Sequence, residues 1–288
     1  MASARHLVAV DIGGSKIAFL AQEAGTSRAV FADKIRTPGA SGVEEILRLL
    51  DAEIDAVPGG RRQMAALGVA VPGQVDSRGH VLRAGNLDGW VDVPLRRLLE
   101  RRYSVPVFVE GDANCGALGE KWCGAAKRMN DFVFLALGTG VGAGLFLDGK
   151  IYRGAHFGAG QAGDLIVSPK RDQVSELAGK QSIKDKTRRA TGENLSAADA
   201  LRRAGRDLRL RRTTADAIDA ISAAVVALTA LLDPEAIVVG GGTGKAGDAL
   251  LRRLRKRVQP FRPRLLSARL GSQAQLYGAL WGALQALK

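Results

Sequence analysis

The chain is poor in the residues that build metal frameworks and base-stacking surfaces. It has two cysteines and three histidines in 288 residues, too scattered for a zinc site, whose ligands come in close Cys or His pairs. Cys115 and Cys123 stand two turns apart on one expected helix, where buried thiols are expected and no disulfide framework follows. Aromatic residues make up 5% of the chain, too few to interleave with cations as stacking platforms. No apolar run is long enough to span a bilayer, and the N-terminus lacks the basic, apolar, small-residue order of a signal peptide. A cytoplasmic protein without a membrane partner is therefore expected.

What the chain has in excess is basic charge and glycine. The net charge is +13, with arginines concentrated at 202–212 (RRAGRDLRLRR) and 252–264 (RRLRKRVQPFRPR). Such clusters are a footprint of nucleic-acid binding, but no helix-turn-helix or zinc module precedes the first strand. The expectation is a solvated basic surface that favours small anionic substrates, with no specific nucleic-acid site. The length admits one large domain or two of ordinary size.

The glycines sit where chemistry would use them. In VAVDIGGSK, residues 8–16, an apolar strand ends at Asp11 and turns through Gly13 and Gly14 to Ser15 and Lys16. Glycine lets backbone N–H groups approach phosphate oxygens, and a carboxylate at the strand end can hold Mg²⁺ through water. The same residues fit a hairpin turn between strands at 6–11 and 17–22, and both readings stand. Apolar strands at 132–137 and 141–147 flank Gly138-Thr139-Gly140 and repeat this plan, which suggests two related halves. A third run, GGGTG at 240–244, follows the last apolar strand at 236–239.

Between these loops the pattern is mixed. A strand at 29–36 precedes an amphipathic helix at 39–56, with Val43, Ile46, Leu47, Leu50 and Ile54 on one face, Ser41 and Glu44 as a cap, and Pro58-Gly59-Gly60 as its stop. The continuous apolar run 64–71 reads as a buried central strand. A hairpin at 75–82, a helix at 93–102 and a strand at 105–109 follow. In EGDANCGALGEKW a strand ends at Glu110 and a helix begins near Asp112, which at such a junction serves as N-cap and as a rigidly held carboxylate. Beyond lie a Gly-rich loop at 154–163, a short strand at 165–167, charged helices over 172–212, an apolar helix at 213–232 stopped by Asp233-Pro234, and helices at 246–257 and 273–287. The mixture predicts α/β layers.

Taken in order, DIGGSK (11–16), GVAVPGQVD (68–76), NLDGW (86–90), GDAN (111–114), LGTGVGAG (137–144), RGAHFGAG (153–160), DPEAIVVGGG (233–242) and AQLYGAL (274–280) resemble the ROK family of bacterial sugar kinases and repressors over nearly the whole chain. The resemblance implies the actin-like ATPase (ribonuclease H-like) α/β fold, with two α/β domains around a cleft that holds ATP and acceptor. The smaller domain would span 1–111 and be joined by the C-terminal helix at 275–288, and the larger would span 112–274. A homodimer through the larger domain is also implied.

For the site, the resemblance implies that Gly13, Gly14 and Ser15 line one side of the ATP triphosphate, with Lys16 nearby and Asp11 helping to hold Mg²⁺. Gly138, Thr139 and Gly140 would form the opposing phosphate loop, and Gly241 and Gly242 would let the adenosine lie close to the backbone. Asp112 would be the general base, taking the proton of the acceptor hydroxyl as it attacks the γ-phosphorus. Phosphoryl transfer asks for these parts: charge neutralisation, in-line positioning and one base. Gly73, Asn86, Gly111, Asp112, Gln161, Asp164 and Glu176 would meet the acceptor.

The acceptor side departs from the family pattern. Gly111 stands where the family usually has Asn before the base. The family's A-G-E-x-G-H appears as residues 159–164 with Gln161 and Asp164 in place of Glu and His, and the cysteine-rich zinc motif that normally follows is missing. A further sugar-binding Glu maps to Ser175 without a gap or to Glu176 with one. Gln for Glu exchanges an acceptor for a donor, and each unmatched buried polar group costs roughly 1–3 kcal/mol. The expected activity is an ATP- and Mg²⁺-dependent kinase acting on a hexose, amino sugar or sugar-like cyclitol, with no zinc site. The alternatives are a glucokinase with a remodelled pocket and a non-catalytic sugar-binding or regulatory protein; the family's repressors carry a winged helix ahead of this part, and only a few residues precede Leu7.

Overall fold

The computed structural model describes residues 5–38, 42–85 and 87–288. The chain folds into two compact units, one of Met1–Trp122, Gly154–Gly158 and Gln275–Lys288 and the other of Cys123–Arg153 and Ala159–Ala274.

The first unit contains strands β1 (His6–Ile12), β2 (Lys16–Glu23), β3 (Ala29–Arg36) and β4 (Met64–Val71), a small sheet of β5 (Gln74–Val75), β6 (Val81–Arg83) and β7 (Val91–Val93), and β8 (Val107–Gly111). The main sheet runs β3-β2-β1-β4-β8. β2 is antiparallel to β1 and β3, while β4 is parallel to β1 and β8. β4 is buried along its whole length, which is why its sequence is an unbroken apolar run. β3, at the edge, is mostly exposed and carries Asp33, Lys34 and Arg36, charges that discourage pairing with another chain.

The period-2 alternation of a strand sends successive side chains to opposite faces. On β1, Val8, Val10 and Ile12 pack with Ile46, Leu47, Leu50 and Ile54 of helix Val43–Ala56. Leu7 and Ala9 pack with Leu276, Ala279, Leu280 and Ala283 of the C-terminal helix Ala274–Ala286. That helix approaches so closely that a Cβ on Gly278 would stand 1.8 Å from the carbonyl oxygen of Cys115.

The second unit is built on β9 (Phe132–Leu137), β10 (Val141–Leu147), β11 (Lys150–Tyr152), β12 (Ala236–Gly240) and β13 (Leu265–Ser267), in the order β11-β10-β9-β12-β13. The strand senses match those of the first sheet, two antiparallel pairings followed by two parallel ones. The repeat suggested by the two glycine hairpins thus extends to whole sheets.

Several expectations need correction. Helix Ala215–Leu232 is long and apolar enough to cross a membrane by length and composition, with a mean hydropathy of 1.8, contrary to the sequence reading. Its Ala217, Ile218, Ala220, Ile221, Ala224, Val225 and Leu228 lie in the second unit's core, so its apolarity is that of a core helix. The strand expected at 165–167 shrinks to one bridge, Ile166 to Gln173. The glycine run after β12 forms a helical turn, Gly241–Gly244. The short strands β7 and β13 have no sequence signal, three residues being too few for a period to show. Helix Val43–Ala56 starts with Gly42 as its N-cap; Ser41 lies outside the described residues. Of the two thiols expected to be buried, Cys115 is buried and Cys123 is only half-buried.

Candidate active site

In the first unit, β1 and β2 are joined by the turn Gly13-Gly14-Ser15, so the glycine loop is a hairpin. The Gly13 N–H donates to the Lys16 carbonyl at 2.9 Å. Thr37, just past β3, ties the turn down: its hydroxyl donates to the Gly13 carbonyl at 2.5 Å and its N–H to the Ser15 carbonyl at 3.3 Å. Gly14, Ser15 and Lys16 are left exposed at the tip. The glycine run is therefore a hairpin turn held by its stem, with its tip presented to solvent.

Asp11 is on β1, flanked by Ala18 of β2 and Ala70 of β4. Burial pushes its carboxyl up to about 7, the nearby Asp112 charge adds to this, and Lys16 opposes it. Asp112 opens helix Asp112–Cys123 with no residue between it and the end of β8. Burial raises its carboxyl to about 6, against the Ala113 N–H that donates to its Oδ1 at 2.7 Å. Both residues are only half-buried, yet the surrounding protein penalises their charge.

Asp11 fits a magnesium site of the water-rich kind. Mg²⁺ is usually held by one or two carboxylates, with waters and substrate phosphates completing its shell, and a dication beside Asp11 would reverse the penalty that burial and Asp112 impose. Among the described residues no group of three or more His, Cys, Asp or Glu side chains is placed to hold a metal ion.

Gly73 follows β4 with φ of +98°, and a Cβ there would stand 2.0 Å from the Arg83 carbonyl oxygen, so only glycine fits. Its own carbonyl oxygen faces Gly111, where a Cβ would stand 3.2 Å away. Gly111 is buried at the end of β8, and its N–H donates to Glu110 Oε1 at 2.9 Å. The structure thus gathers Asp11, the 13–16 loop, Gly73, Gly111 and Asp112 in the first unit. Asn86 lies outside the described residues.

In the second unit, the Gly138 N–H donates to the Gly140 carbonyl at 2.9 Å, and the Lys180 N–H donates to the Gly138 carbonyl at 3.0 Å. Thr139 is exposed at the tip. Gly241, with φ of +81°, lies against the backbone of β9: a Cβ there would stand 2.4 Å from the Leu137 carbonyl oxygen. Gly242 faces open space. The 138–140 loop and the 241–242 turn therefore adjoin.

The Ser175 hydroxyl accepts from the Val141 N–H at 3.0 Å and lies 3.2 Å from where a Cβ on Gly140 would be. It buttresses the 138–140 loop. Glu176 is exposed and accepts from the Gln173 N–H at 2.8 Å, closing a capping box on helix Val174–Ala178. Gln161 is half-buried ahead of the 3₁₀ turn Ala162–Asp164, and Asp164 on that turn is exposed. The turn is tied to β10 through the Ala143 N–H, which donates to the Gly160 carbonyl at 2.7 Å.

Sequence reasoning missed Thr37 and Glu110. A lone Thr after an edge strand carries no signal. Glu110, an acidic residue ending an apolar strand, did carry one, since burial of a carboxyl demands partners.

The ROK family model matches residues 7–285. A glucokinase of Halalkalibacterium halodurans is 31% identical over a 320-residue alignment that covers 97% of this chain and 95% of the relative. A putative xylose repressor of Caldicellulosiruptor is 30% identical over 74% of this chain and 59% of its own length. Among solved structures, a ROK family glucokinase from Streptomyces griseus in complex with glucose and AMPPNP superimposes with a TM-score of 0.82 at 29% identity, covering 97% of this chain and 99% of that one.

Proposed function

The chain belongs to the ROK family, and from that premise we propose that it is an ATP-dependent kinase that phosphorylates a hydroxyl of a hexose, amino sugar or sugar-like cyclitol. The observation that carries the reading is Asp112, a partly buried carboxyl fixed at a strand-to-helix junction and poised near pH 6 by its surroundings. Above that pH it is ionised and accepts the proton of a hydroxyl, a task for which a base close to working pH is suited.

The remaining parts take the nucleotide. N–H groups of the Gly13–Ser15 and Gly138–Gly140 turns, with the Lys16 ammonium, would receive phosphate oxygens, and the Gly241–Gly242 turn leaves backbone open to a flat ring. Asp11 would hold Mg²⁺ through water, and the ion would neutralise charge on the transferring phosphate. The altered acceptor side, Gly111, Gln161 and Asp164, supports a specificity different from a glucose-selective pocket. The further sugar-binding Glu maps to Ser175 or Glu176; Glu176 is exposed and uses one carboxylate oxygen on the Gln173 N–H, which leaves the other available to an acceptor.

A regulatory, non-catalytic reading draws support from the repressor relative. The two readings separate in an ADP-release assay with Mg-ATP across glucose, mannose, N-acetylated and free amino sugars, and carbocyclic sugar analogues. Acceptor-dependent ADP release with at least one compound is the expected result. A flat response, with saturable sugar binding by calorimetry, would overturn the kinase reading in favour of the sensor.

A further inference from the structure

We propose that Glu110 and Asn114 form a positioning pair that fixes Asp112 through the backbone and so sets the rate of phosphoryl transfer without touching the reactants; the proposal rests on Asp112 acting as the base. β8 passes into helix Asp112–Cys123 without a linking residue, so the orientation of Asp112 depends on how that junction is held. The residue before it is Gly111, whose backbone is the least constrained of any residue type. No side chain at 111 helps to fix the turn.

Glu110 supplies the restraint. It is 2% exposed, and its Oε1 accepts from the Gly111 N–H at 2.9 Å and from Asn114 Nδ2 at 3.0 Å. One oxygen thereby joins the residue before Asp112 to the residue two after it, closing a ring around Asp112 and Ala113. The Asp112 carboxylate is oriented in turn by the Ala113 N–H, 2.7 Å from its Oδ1, a donor inside that ring. Loosening the ring releases the donor and the carboxylate together. A base displaced by about 1 Å costs roughly a hundredfold in rate, whereas the anion loop at 13–16, held separately by Thr37, keeps its shape.

The test compares Glu110→Ala, Glu110→Gln and Asn114→Leu with the parent. Turnover, acceptor KM, ATP Kd and the acidic limb of the pH profile are measured, together with the Asp112 carboxyl titration by carbon NMR. Glu110→Ala and Asn114→Leu are expected to lower kcat by about 30- to 100-fold, leave the ATP Kd within about twofold and shift the Asp112 titration by about half a unit or more. Glu110→Gln, which keeps the shape and an acceptor oxygen, should restore most of the turnover. An unmoved Asp112 titration and acidic limb in folded Asn114→Leu protein would overturn the proposal, since a merely structural pair would change stability alone. Asn114 is only half-buried, so that variant decides the matter even where Glu110→Ala does not fold. An inactive parent would count against the kinase reading, while the NMR titration still tests the positioning pair.

Discussion

Removing the charge of Asp11 should make the protein more stable at alkaline pH while destroying its capacity to organise the nucleotide. The Asp11 carboxyl moves from an ordinary 3.8 to about 7, about three units, and each unit corresponds to about 1.36 kcal/mol. The folded chain therefore keeps a proton between pH 4 and 7 that the unfolded chain has released. Stability falls as pH rises through that window, and the full cost is present above pH 7. Asn at this position keeps the shape and carries no charge. Asp11→Asn should exceed the parent by up to about 4 kcal/mol at pH 8, nearer 2 where water reaches the carboxyl, and by only about 1 kcal/mol at pH 4.5.

The assay is urea unfolding without Mg²⁺ or nucleotide, followed by tryptophan fluorescence. Trp90, Trp122 and Trp281, all the tryptophans of the chain, lie in the same unit as Asp11, so the signal reports the unit that is perturbed. Mg-ATP should then stabilise the parent and fail to stabilise the variant. A variant less stable than the parent at pH 8, or a gap that is equal at both pH values, would refute the reasoning.

Two further outcomes are expected. Thr37→Val removes the hydroxyl that holds the Gly13 carbonyl; losing one such bond costs about 1 kcal/mol, so the KM for ATP should rise about fivefold with kcat nearly unchanged, read from initial rates at saturating acceptor. Gly278→Ala forces a methyl against the Cys115 carbonyl, 1.8 Å from the ideal Cβ position. The helix must shift, and overpacking of that kind costs about 1–3 kcal/mol or more, visible as a lower urea midpoint with the same fluorescence probe.

The long periodic elements were legible in the sequence because burial writes itself into their spacing. β4 is buried on both faces and reads as an unbroken apolar run, while helix Val43–Ala56 buries one stripe and reads as amphipathic. The hairpins at 13–15 and 138–140 were legible too, since glycine between apolar strands is a turn signal. What escaped was set by tertiary contact. Glu110 gains its meaning only when Gly111 and Asn114 fold back onto it. Ser175 and Glu176, adjacent in sequence, take different structural partners, the hydroxyl on the β10 backbone and the carboxylate on a helix cap, which no spacing in the sequence shows. β13 completes the second sheet with three residues, held by its neighbour β12 and not by a pattern of its own.

The central claim is that Asp112 is the base of a phosphoryl transfer, and Asp112→Asn tests it most directly. The change keeps the side-chain shape and an oxygen to accept the Ala113 N–H, so fold and nucleotide binding should persist, with the ATP Kd within about twofold, while kcat falls by about 10² to 10⁴. A variant that binds ATP and turns over at the parent's rate would contradict the account.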